Sequence, residues 1–384
     1  MNIIYYNAHP KGFVWEWHQP HTISELISAG HQVEYLNPVS TLGRLGTAAE
    51  YSQILLDKIK QRPLCDLFFA TATYDTLLPE VVDEIKKLGI PTVNLSCDEL
   101  SHPFRVKKLA PHFDLNWIPN PESASLFESW GANWIAMPWA ANPNIFKPVK
   151  AKEKLTVGFI GTCYGARARN LAILAREQIP VDVYGKSPEK LYSGNKINNP
   201  ILTALDNFPE SIQRTIYSFS TPTTRRCLQG VLKRALLELF NPPIEKTIQN
   251  NAHCINYLPS PPFEKLAESF NRMAISLGSI ELSSTYVLKN PVYFIRLREF
   301  EVPMSGGVHL TYRHPKLIEY FKEDKEMLFY QDIEEMLDKI NFYLAPERAH
   351  LRQTIRENAR NRALSEHTWM HRFKQIGTRL SLSF

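Results

Sequence analysis

Leu155-Thr-Val-Gly-Phe-Ile-Gly161 is a short apolar run ending on glycine, and a helical stretch separates it from a second such run, Val181-Asp-Val-Tyr184-Gly185. Two β-like runs flanking a helix predict a βαβ unit. The same grammar has already run once upstream. Asn2–Tyr6 reads as a first strand, Leu26 and Ile27 begin the apolar stripe of a helix that Gly30 stops, and Val33–Leu36 reads as a second strand. Thr22 and Glu25 have the spacing of a capping box at the start of that helix. Leu67–Ala70, a helix through Val82, Ile85 and Leu88 stopped by Gly89, and Thr92–Leu95 repeat the pattern. Asn120-Pro121 then starts a helix over Leu126, Phe127 and Trp130 that runs to Gly131. Strands alternating with helices specify a parallel sheet covered by helices. A restart at Leu155, after the proline-rich stretch from Asn142-Pro143 to Pro148, specifies a second one. The expected architecture is α/β with two Rossmann-like domains, 1–148 and 149–365, followed by a helix in 366–384.

Between about Lys186 and Pro259 the alternation fails, and residues of about 187–258 are expected to be an insertion. Within it Arg225–Phe240 is basic and leucine-rich, a pattern that suits either a helix buried on its own domain or one that lies on a membrane or docks a partner. Ser260-Pro-Pro-Phe263 is expected to cap a helix with Phe263, Leu266, Ala267 and Phe270 inward, leading to a strand near Ala274–Leu277. Asp332 and Glu335 form a second capping-box pattern ahead of Ile333, Met336, Leu337, Ile340 and Leu344. In the tail, Trp369, Phe373, Ile376 and Leu380 share one helical stripe, so a final helix packs against something.

With 44% hydrophobic and 22% charged residues over 384 positions, the chain has the composition of a globular protein of two ordinary domains. Its net charge of +5 is compatible with anionic small molecules and far below the density of a nucleic-acid binder. Met1-Asn-Ile-Ile-Tyr-Tyr-Asn lacks a basic n-region and a long apolar run, so no signal peptide is expected. Cys65, Cys97, Cys163, Cys227 and Cys254 are scattered and unpaired in spacing, which fits reduced thiols and a cytoplasmic location. The sequence has no Asp-x-Asp motif, no Walker loop and no Gly-x-Gly-x-x-Gly fingerprint, which disfavours a kinase or a hydride-transfer enzyme.

The segment with the most chemistry is Arg296-Leu-Arg298-Glu-Phe300-Glu301-Val-Pro-Met304-Ser305-Gly306-Gly307. On a helix, Arg298, Glu301 and Ser305 share one face and Leu297, Phe300 and Met304 the other. A packed face and a face bearing a cation, a carboxylate and a hydroxyl are expected. That polar set suits a nucleoside diphosphate, because a carboxylate accepts two hydrogen bonds from a ribose diol while arginines and a helix start neutralise phosphate.

Several ordered segments carry a wider likeness. They are Phe113-Asp114 with the Asn120-Pro121 helix, Val157-Gly-Phe-Ile-Gly161 with Tyr164-Gly165 and Arg167, and Val183-Tyr184-Gly185-Lys186. Further on come Phe270-Asn-Arg-Met-Ala-Ile-Ser-Leu277, the Arg298–Gly307 segment, Phe321 to Glu326, Glu334-Glu335-Met336, and Glu366-His367-Thr368-Trp369 with Arg372. In this order they resemble the spore-maturation (CgeB-like) branch of GT-B, group 1 type glycosyltransferases. The resemblance implies two Rossmann-like domains facing across a cleft, with the last helix crossing back to the first. It also implies transfer of a hexosyl group from a UDP-, GDP- or dTDP-sugar, without a metal or other cofactor, to a hydroxyl-bearing acceptor that is a glycan, lipid, small molecule or protein. Donor binding falls to the second domain and acceptor binding to the first. Glu301 matches the position that holds the donor ribose, and Arg298 and Arg296 are the candidate diphosphate contacts.

Other residues are weighed by their place. Gly161 ends a strand and permits close backbone approach, although ordinary turn chemistry also asks for glycine there. Arg167, six residues on, matches a family arginine, and Tyr184 and Lys186 end the next strand at the edge where doubly wound sheets place ligands. Where many retaining relatives carry a second glutamate, eight residues before the ribose-binding one, this chain has Tyr293. A general base for an inverting transfer has candidates in His9, after the first strand, in His18 and His21, and in Asp98 of the Asp98-Glu99 pair after the fourth. His9 and Asp98 are preferred. The aromatic stretch Phe13-Val-Trp15-Glu-Trp17-His18 either stacks an acceptor or packs inward. The rival from another class is a two-lobed nucleotide- or sugar-binding protein of the same fold with no turnover.

Overall fold

The computed structural model describes residues 1–10, 17–61, 64–185, 221–240 and 244–384. The chain divides into two compact units, Met1–Asn144 with His367–Phe384, and Ile145–Glu366. Each is built on a six-stranded sheet whose described pairings are all parallel.

The first sheet contains β1 Asn2–Tyr6, β2 Gln32–Leu36, β3 Leu67–Ala70, β4 Thr92–Leu95, β5 Leu115–Ile118 and β6 Trp134–Ala136, in the order β2-β1-β3-β4-β5-β6. Alternate side chains leave opposite faces of each strand. Ile4, Tyr6 and Phe68 therefore pack with Leu55, Ile59, Val82 and Ile85 on one side. On the other, Tyr5 and Trp117 sit against Phe69, and Phe69 and Trp117 meet Phe373 and Trp369 of the final helix, Trp369–Leu380. Covering both faces explains why these strands are apolar throughout rather than alternating.

The expected capping box at Thr22 does not form. The helical turns there begin at Gln19, and Glu25 turns instead to the start of the final helix, accepting hydrogen bonds from the backbone N–H of Met370 at 2.9 Å and of Trp369 at 3.3 Å. Burial raises the Glu25 carboxyl to about 7 against those two bonds. Thr368 caps the same helix, and Trp369, Phe373 and Ile376 are fully buried while Leu380 is half-buried.

The second sheet contains β7 Lys154–Ile160, β8 Val181–Tyr184, β9 Ile255–Leu258, β10 Met273–Leu277, β11 His309–Tyr312 and β12 Leu328–Tyr330, in the order β12-β11-β10-β7-β8-β9. Its core joins Val157, Phe159, Val183, Ile275 and Leu310 to Leu171, Leu174, Met336 and Ile340 of the covering helices. The expected insertion ends too late in the sequence. Residues 255–258 are a strand paired with β8, and Ile248, on the helix Ile244–Asn250, is part of the core. Ser260 does not cap a helix either; a short turn at Phe263–Lys265 leads into Leu266–Arg272 with no side-chain cap. Of the Asp332–Glu335 box one half forms, Asp332 accepting from the Glu335 N–H, while Glu335 reaches Gln331.

The two strand orders place the crevices. Connections leave the first sheet in opposite directions between β1 and β3, and the second between β7 and β10. Ligands of doubly wound sheets bind outside the carboxyl ends of the strands at such switch points.

Candidate functional site

At the switch point of the second sheet, β7 is followed by Gly161, whose φ of +142° is a conformation that a side chain would strain. Arg167, near the start of the helix Ala166–Arg176, lies over the rings of Tyr164 and Phe159 and donates from Nη1 to the Thr162 carbonyl at 3.2 Å. Its guanidinium is therefore held at the carboxyl end of β7. Across the crevice β10 runs into Gly278-Ser279, and the Ser279 carbonyl accepts from Arg296 Nε at 3.3 Å. Arg167 and Arg296 thus stand on the two sides of the switch point.

They feel each other. Burial, and after it the charge of Arg296, lower the Arg167 guanidinium to about 10, with Arg298 adding to the repulsion. Among the described residues neither Arg167 nor Arg296 has a carboxylate within ion-pair distance. Two like charges gathered at a crevice, offset only in part by the charge of Glu299, favour an anion.

Arg298 begins the seven-residue helix Arg298–Met304, lies over the Phe270 ring and donates to Glu301 Oε2 at 2.7 Å. The expected two-faced helix is corrected here. Glu299, Phe300, Glu301, Val302 and Met304 are all buried, and the buried Ser305 hydroxyl turns back to the Glu301 carbonyl rather than outward. The helix start is not open to phosphate either, since Glu299 accepts from the Arg296 N–H at 2.9 Å. The turn at the far end does form, with the Gly307 N–H donating to the Val302 carbonyl.

Glu299 is the residue that sequence reasoning passed over. Its back-reach of three residues to Arg296 has a cap-like spacing that the sequence carries between Arg298 and Glu301. Its other oxygen faces buried His309 Nε2 at 3.5 Å. Glu281 was also missed. It is buried, takes Arg169 at 2.9 Å and the Ser279 hydroxyl at 2.9 Å, and its backbone bridges to Tyr293, which stacks on Tyr312. Where retaining relatives are expected to carry a glutamate, this chain sets an aromatic ring beside a carboxylate already committed to an arginine.

Tyr184 ends β8, half-buried, its hydroxyl pushed up by burial, with no contact to the arginines; Lys186 lies outside the described residues. In the first unit, His9 follows β1 at that sheet's switch point. The Pro10 carbonyl can only accept, so His9 Nδ1 carries the proton at 2.7 Å and Nε2 is the basic nitrogen, 2.6 Å from the Tyr35 hydroxyl. Asp98 is exposed, while its neighbour Glu99 is buried and accepts from the Asn120 backbone and side-chain N–H groups on Oε1. Burial raises the Glu99 carboxyl to about 8. Trp17 packs against Trp139 and Trp369, and His18, buried and bonded to the Tyr5 hydroxyl, is held well below its ordinary range by burial; residues 11–16 lie outside the described set.

Two parallel sheets, each with a switch-point crevice and one of them lined by arginines, define the GT-B architecture. The chain has that fold. Residues 247–378 match the family model described as "Glycosyl transferase-like". Sucrose-phosphate synthase from Thermosynechococcus elongatus superposes with a TM-score of 0.61 at 12% identity over 98% of this chain and 97% of that one. A glycosyltransferase from Rickettsia africae gives 0.60 at 10%, over 100% and 99%. HepE of Anabaena, solved in complex with UDP and glucose, gives 0.58 at 13%, over 99% of each chain. No curated protein matches the sequence.

Proposed function

We propose that this protein is a glycosyltransferase that moves a hexosyl group from a UDP-sugar to a hydroxyl-bearing acceptor, its second unit holding the donor. The observation that carries this is the Arg167–Arg296 pair, two guanidinium groups without carboxylate partners at the β7/β10 switch point, with Arg298 close enough to add to the repulsion. A diphosphate is the counter-ion such a set accepts, and as the glycosyl bond breaks the growing charge on the leaving phosphate is stabilised in place. The arginines make the charge neutralisation metal-independent. Glu301, at the end of an ion pair with Arg298, is assigned to the ribose diol, which couples sugar recognition to the orientation of a diphosphate contact. UDP is the nucleotide to try first, because HepE was solved with UDP-glucose as well as with UDP.

On the acceptor side, His9 is the proposed base. Its Nδ1–H is fixed on a carbonyl, so Nε2 has the lone pair that a hydroxyl proton needs, once Tyr35 yields its place. The likeness to the spore-maturation branch supports the donor-side roles of Glu301 and the arginines and is part of the proposal.

Calorimetric titration with UDP, GDP and dTDP tests the donor half, and incubation with nucleotide sugars, reading release of nucleoside diphosphate, tests turnover. Glu301→Ala is expected to weaken UDP binding more than about tenfold, as loss of hydrogen bonds to a charged group does. Unchanged affinity removes Glu301 from the site. Absence of heat with every nucleotide overturns the donor assignment, and tight binding without hydrolysis or transfer makes the chain a binding protein of the same fold.

A further inference from the structure

The helix Pro222–Glu238 is not buried on its unit. Its first half is held: Thr221 caps it, Thr224 is buried, and Gly230 lies so close to the Ser284–Thr285 backbone that a Cβ there would sit 2.8 Å from Ser284. The second half and the two residues after it are a different surface. Val231, Leu232, Leu236, Leu237, Leu239 and Phe240 are 49, 58, 61, 42, 76 and 86% exposed. Scattered apolar side chains on a surface need no account, but six within ten residues form a patch. Leu228, Leu232, Ala235 and Leu239 follow the i, i+4, i+7, i+11 spacing of one helical stripe, with Leu236 beside it.

The charge is as uneven as the hydrophobicity. From Pro222 to Phe240 there are four basic residues, Arg225, Arg226, Lys233 and Arg234, and one acidic residue, Glu238, a net of 4 − 1 = +3. Arg234 pairs with Glu238 at 2.6 Å, and among the described residues Arg225, Arg226 and Lys233 form no ion pair. Arg226 and Lys233, seven residues apart, lie on the side away from the leucine stripe.

We infer that this helix docks on an anionic lipid surface, lying in the interface with Leu232, Leu236, Leu239 and Phe240 among the acyl chains and Arg225, Arg226 and Lys233 at the headgroups. At 17 residues and about 1.5 Å per residue it is some 25 Å long. No described helix is long and apolar enough to cross a membrane, so this one lies on the surface. An apolar stripe flanked by unpaired basic side chains is the recognised chemistry of such an element.

The test uses the whole chain in a vesicle flotation assay, comparing phosphatidylcholine alone with phosphatidylcholine containing phosphatidylglycerol, at low and high salt. Binding to the anionic vesicles only, weakened by salt, is expected. Leu232→Ser with Leu236→Ser and Phe240→Ser removes it, and Lys233→Glu weakens it roughly tenfold. All these side chains are exposed, so circular dichroism and UDP titration of the variants report an intact fold. Failure to float with anionic vesicles overturns the inference, as does flotation that is indifferent to the serine variants or equal on neutral vesicles. A concentration-dependent dimer in sedimentation velocity that the serine variants dissolve assigns the patch to self-association instead.

Discussion

The two sheets share a plan and differ in what they gather at their carboxyl edges. The first unit collects groups that burial keeps uncharged: Glu99 raised to about 8, a neutral His18, and the Cys97 thiol pushed well up by burial and by Asp98 and Glu99. His18 is satisfied within the unit by the Tyr5 hydroxyl, and Glu99 Oε1 by Asn120. In the second unit the crevice holds charges that cannot neutralise, with Arg296 near enough to lower the Arg167 guanidinium. An edge made of protonated acids is stable empty. One made of arginines is incomplete until an anion arrives, so the second unit carries the clearer signature of a ligand.

The largest effect expected from dividing the molecule this way is on stability. Trp369→Ala empties the aromatic cluster of the first unit and should lose about 3–5 kcal/mol from that unit's urea transition. UDP affinity, which we assign to the second unit, should stay within about twofold, since sites with no shared partners act independently. A collapse of UDP binding in this variant would show that the division fails.

Next comes the arginine pair. Arg167→Met should weaken UDP binding by roughly 1.5–3 kcal/mol, the worth of hydrogen bonds to a charged group. The same change should raise the thermal stability of the ligand-free protein by about 1 kcal/mol, because it removes a half-buried charge and its repulsion from Arg296. Melting curves with and without UDP read both signs together, and a variant destabilised in both states would make Arg167 a packing residue.

The smallest effect, read per pH unit, concerns Glu99. Its carboxyl is raised from 4.5 to about 8, so the folded chain holds a proton that the unfolded chain has released across that window. The stability this proton contributes is full below about 4.5 and is lost progressively as pH rises to about 8. Glu99→Gln, which keeps the hydrogen-bonding shape without the titration, should flatten the slope by up to about 1.4 kcal/mol per pH unit between about pH 5 and about pH 8 in urea denaturation. An unchanged slope would mean that Glu99 is ionised in the folded state.

Much of this was legible in the sequence because it is local. Strand and helix alternation, glycine stops and the restart at Leu155 are signals carried within a dozen residues. So is the placement of Arg167 just past a strand-ending glycine. What the sequence concealed is decided at a distance. Ile255–Leu258 is too short and too polar in its surroundings to announce a strand until β8 pairs with it. Glu25 has the spacing of a local cap, yet the N–H groups it serves belong to residues 369 and 370. The Arg298–Met304 helix has a two-faced pattern that a neighbourhood closed on all sides overrides.

Glu25 and the final helix also bear on how the protein is made. The ribosome produces the whole of Ile145–Glu366 between the two parts of the first unit, a delay of roughly ten to forty seconds at about 5–20 residues per second. During that interval Trp117 and Phe69 lack the Trp369 and Phe373 rings that cover them, while the second unit already has all its own residues. Glu25, still in water, is an ordinary charged carboxylate. Docking of the helix buries it and raises it to about 7, so a segment synthesised late closes a sheet synthesised early.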